Sequence, residues 1–70
     1  MLKNQNRWKE YTIAHSKFLN IDNPTPQQCL EYLRLINTFN FNWALLYNIK
    51  YVPEEHRAFC ETQLKLEGLL

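Results

Sequence analysis

His56 and Cys60 stand four residues apart, the spacing that puts two side chains on one helical face where they can share a metal ion. His15 and Cys29 would complete a tetrahedral set of nitrogen and sulfur ligands, so a structural zinc is the sharpest chemistry these residue types allow. Three features oppose it. The chain has no C-x-x-C or H-x-x-x-H knuckle, the ligands would come from three helices, and His15 and Cys29 occupy stripe positions where core residues are expected. Core packing is the plainer account, and no metal or other cofactor is expected.

Cysteine–histidine catalysis would need a thiolate beside an imidazole and a pocket to hold a substrate. His56 and Cys60 could touch, but a chain of this length has little material for a concave site as well. Glu54 and Glu55 resemble a catalytic carboxylate pair, yet adjacent helical residues point about 100° apart and cannot share one reacting group. They suit the positive end of a helix dipole better. With no glycine-rich phosphate loop, no G-x-S-x-G and no H-E-x-x-H, the expectation is a protein that is not an enzyme.

The elements that would position these residues are helices. Trp8, Tyr11, Thr12, His15, Phe18 and Leu19 follow one helical face, predicting a first helix over about 6–19 with Asn20 as a left-handed stop. Thr25-Pro26-Gln27-Gln28 is a capping box with proline at the first helical position. It opens a second helix over 26–37, with Cys29, Leu30, Leu33 and Ile36 inward, Tyr32 and Leu35 on the flanks, and Glu31 and Arg34 in solvent.

Residues 37–42 alternate polar and aromatic like a strand, but no second strand-like run exists to pair with them. They are expected to be a connector in which Asn40 or Asn42 caps a third helix over 42–51. Pro53 opens a fourth helix over 53–67, ended by Gly68. Arg57, Glu61 and Lys65 would form an exposed ion-pair ladder on it, opposite an inner side of His56, Phe59, Cys60, Gln63, Leu64 and Leu66. The fold class is therefore all-α: one domain over 1–70, a small bundle of three to four helices.

Composition narrows the function classes. A content of 46% hydrophobic and 21% charged residues with one glycine marks an ordered globular chain. A net charge of +1 is neither the basic excess of most nucleic-acid domains nor the acidity of a nucleic-acid mimic. The charge is nonetheless uneven, basic at the start and acidic at the end, which suggests that the first and last helices attract each other. No run approaches the roughly 18 apolar residues of a membrane span. Two cysteines without a leader pattern imply reduced thiols and a cytosolic protein.

The densest constellation is aromatic. Phe39, Phe41, Trp43, Tyr47 and Tyr51 are half of the ten aromatic residues, more than one small bundle needs inside. At least two, with Phe41 and Tyr47 or Tyr51 foremost, are expected on the surface, where tyrosine and tryptophan serve as binding hot spots. The sequence thus points to a non-catalytic interaction module. It would dock this surface onto a larger protein, as accessory subunits and phage-type or mobile-element inhibitors do, or onto a second copy of itself as a homodimer. The alternative is a dimeric DNA-binding regulator using the basic first helix, with Lys3, Arg7, Trp8, Lys9 and Lys17 as its surface.

Overall fold

The structure, a computed structural model, describes the backbone of residues 2–70 and the side chains of residues 6–70. It is all-α, with α1 (Leu2–Leu19), α2 (Pro26–Thr38), α3 (Ala44–Ile49) and α4 (Glu54–Leu66) in chain order and no strand among the described residues. The second helix is the hub, since α1, α3 and α4 each pack against it.

Helix α2 begins where its capping box predicts. The Thr25 hydroxyl accepts from the Gln28 N–H at 3.1 Å, and the Gln28 side chain accepts from the Thr25 N–H at 2.9 Å. Cys29, Leu30, Leu33 and Ile36 are buried as their spacing requires. Tyr32 is also buried, not flanking, because its ring stacks face to face on Phe18 of α1 with centroids 4.0 Å apart.

The chain leaves α1 through a tightening turn in which the Asn20 N–H still reaches the Ser16 and Lys17 carbonyls. The left-handed residue is therefore not Asn20 but Asn23, at φ 50°, where the backbone reverses before Pro24. The other left-handed asparagine is Asn40, at φ 62°, which turns the chain out of α2. Neither Asn40 nor Asn42 caps α3. Trp43 holds the N-cap position with no side-chain bond, and the entry is fastened by the Ala44 N–H on the Phe41 carbonyl at 3.0 Å.

Helix α4 ends in a Schellman turn at Gly68, φ 77°, with the Leu69 N–H on the Leu64 carbonyl and the Gly68 N–H on the Lys65 carbonyl. Its buried face is narrower than the sequence suggests. Cys60 and Leu64 are inside, whereas Phe59 and Leu66 are exposed, because α4 has only α2 as a broad neighbour and one seam cannot cover side chains that point about 100° or more away from it.

The expected ladder of Arg57, Glu61 and Lys65 does not form. Arg57 turns back to donate to the Lys50 and Val52 carbonyls at 2.9 and 3.0 Å, satisfying groups left open at the end of α3. Nor do the basic α1 and acidic α4 pair: among the described residues no ion pair joins them. Arg34 of α2 instead forks onto the Glu67 carboxylate, its Nε 3.0 Å from Oε1.

Candidate functional site: an aromatic belt over a buried polar seam

The aromatic rings of α1, the connector and α3 form one continuous surface. Trp8 lies 4.8 Å from Phe41 and 5.8 Å from Trp43, Trp43 lies 5.9 Å from Tyr47, and Tyr47 lies 5.5 Å from Tyr51. The Tyr47 and Tyr51 hydroxyls meet at 3.0 Å, and that hydrogen bond is the main cause that raises the Tyr51 phenol above its ordinary value. Trp8, Trp43, Tyr47 and Tyr51 are between 38% and 50% exposed, so each presents a face while its other side is packed. Cations flank the belt, with the Arg7 guanidinium 4.6 Å over Phe41 and the Lys50 ammonium 4.8 Å over Tyr47.

Two of the five aromatics singled out from sequence behave differently from the rest. Phe39 is core, 8% exposed, and Phe41 is half-buried beneath Trp8 and Arg7. Trp8, grouped by sequence with the basic residues of α1, belongs to the belt instead.

Beneath the belt lies Asn48, fully buried and the centre of a hydrogen-bond network. Its Nδ2 donates to the Ala44 carbonyl at 2.7 Å and to the Tyr11 hydroxyl at 3.1 Å, and its Oδ1 accepts from the Tyr32 hydroxyl. A carbonyl can only accept, so the contact with Ala44 fixes which end of the amide is which. His15 Nδ1 sits 3.0 Å from Asn48 Oδ1 and 2.9 Å from the Tyr32 hydroxyl. Nδ1 thus meets both a carbonyl oxygen and a hydroxyl, and the imidazole tautomer sets whether it donates or accepts there. Burial pushes the Tyr32 phenol far above its ordinary value. His15 also meets the edge of Tyr51 at 4.8 Å, tying the seam to the exposed rings.

This network was not legible as a site in the sequence. An asparagine inside an apolar run reads as an interruption or a polar tip. The available signal was that α3 is apolar on more than one side, so a polar residue on it must be buried and must find partners.

The structure does not gather the four metal candidates into one site. His15 is engaged with Tyr32 and Asn48, and His56 Nε2 faces Glu55 at 3.7 Å. Cys29 and Cys60 are free and fully buried. Burial raises both thiols, Cys60 to about 11, the opposite of what a reactive thiolate requires. Among the described residues no three histidine, cysteine or acidic side chains are grouped to hold a metal ion.

The basic residues of α1 do not share one patch. Arg7 lies on the belt, Lys9 is exposed on another face, and Lys17 lines a groove against α2; the Lys3 side chain lies outside the described residues. No helix among the described residues is long and apolar enough to cross a membrane. No protein-family model, curated protein or solved structure matches the chain.

Proposed function

We propose that the protein is a small non-catalytic interaction module that docks its aromatic belt onto a larger protein and, by occupying that surface, modulates or inhibits it. The observation that carries this reading is the unbroken run of half-exposed rings from Trp8 to Tyr51. Large rings held on a fixed seam lose little rotamer freedom on binding, and their hydroxyl and indole tips suit the wet rim of an interface. Arg7 and Lys50 beside the belt favour a partner whose apolar patch is bordered by carboxylates. Two reduced core thiols fit a reducing compartment such as the cytosol. A DNA-binding role finds less support, since the cations of α1 face several directions and would not track one phosphate backbone.

The test compares the wild-type chain with a Trp43→Ala/Tyr47→Ala variant as baits in a cell extract, with a duplex-DNA titration at low and moderate salt alongside. Expected are proteins that the wild type retains and the folded variant loses, and no salt-sensitive DNA affinity. Equal retention by both baits, or tight DNA binding that falls steeply with salt, would reject the reading.

A further inference from the structure

A second run of exposed apolar side chains lies in the groove between α1 and α2. Ile13 and Leu35 are 44% and 47% exposed, Ile21 stands at one end, and the small Ala14 lies between them. Trp8 is roughly opposite Lys17 around α1, at about 100° per residue, so this face looks away from the belt. Two charges border it. Glu10 lies about one helical turn before the midpoint between Ile13 and Ala14, and Lys17 about one turn after it. Both are exposed, and among the described residues neither joins an ion pair.

A helix with that order is complementary to itself when turned end for end. A two-fold axis through the midpoint sets Ile13 against Ala14 of the second copy and Glu10 against Lys17 of the second copy, each twice. Ala14 ends at its Cβ, so the helices can approach closely enough for Ile13 to fill the gap, with Leu35 covering the crossing from α2.

We infer that this face is a dimer interface, an antiparallel pairing of α1 from two copies of the chain. It does not depend on the belt, and it leaves two belts facing outward for partners. One helix crossing buries less than the ~1,000 Å² of a durable complex, so the dimer exchanges with monomer.

Sedimentation equilibrium from micromolar to millimolar concentration tests it with two charge reversals at exposed positions. The wild type should shift from monomer toward dimer. Glu10→Lys and Lys17→Glu, measured separately, should each weaken association at least about tenfold, because like charges then oppose each other at both ends of the pair. An equal mixture of the two variants should recover the dimer, since one chain then presents two cations and the other two carboxylates. That recovery also shows that both variants are folded. A wild type that stays monomeric up to millimolar, a dimer indifferent to both reversals, or a mixture that fails to recover association would each overturn the inference.

Discussion

The seam between α2 and α4 and the seam between α1 and α3 are built from different materials. Around the first, Cys29, Leu33, Cys60 and Leu64 show no exposed surface, and the main polar link is the Arg34–Glu67 pair at its solvent end. The second has a buried amide at its centre, three polar partners around it, and aromatic rings left half in water. Apolar burial has no preferred geometry and supplies most of the stability, whereas a hydrogen-bonded network tolerates few arrangements and fixes how its elements meet. The contrast assigns the fold to one seam and the shape of the exposed belt to the other.

The most damaging single change should fall in the dry seam. Leu33→Ala removes a fully buried side chain, and the expected loss of about 2–5 kcal/mol is a large share of the stability of a domain this small. Urea unfolding should show a much lower midpoint or no folded baseline; a loss below about 1 kcal/mol would mean that α2 is not the hub.

Next comes Asn48→Ala, which leaves the Tyr11 and Tyr32 hydroxyls, the Ala44 carbonyl and His15 Nδ1 without their shared partner. About 1–3 kcal/mol should be lost, with α3 and the belt loosening before α2 and α4. Hydrogen exchange resolves that order: faster exchange confined to α1 and α3 sharpens the division between the seams, and uniform acceleration erases it.

The smallest effect belongs to the solvent-facing pair. Arg34 holds the Glu67 carboxyl below its ordinary value. A depressed acid stabilises the fold above its unfolded value and loses that contribution as pH falls through the folded one. Wild type and Glu67→Gln should therefore differ slightly at neutral pH and converge as the medium turns acidic, with added salt shrinking the gap.

Local signals carried much of the architecture. Thr25, Pro26 and Gln28 act within one turn of each other, and Gly68 acts where a left-handed residue is needed, so both ends were legible. The buried stripe of α2 followed from its spacing for the same reason. What escaped the sequence depends on residues far apart in the chain. Arg34 meets Glu67, Arg57 serves carbonyls of the preceding element, and Asn48 gathers Tyr11, Tyr32 and His15 from two other helices. The belt was half legible: the surplus of rings was visible, but that Phe39 goes inside while Trp8 joins the surface was decided by packing.

The measurement that tests the central claim most directly is urea unfolding of the Trp43→Ala/Tyr47→Ala variant beside the wild type. If the belt is spare to the fold, the variant unfolds cooperatively with an unchanged slope and loses no more than about 2 kcal/mol, since rings that are already half in water forfeit only part of their burial. A variant with no cooperative transition would show that both rings are core, and the belt would then be part of what holds the protein together.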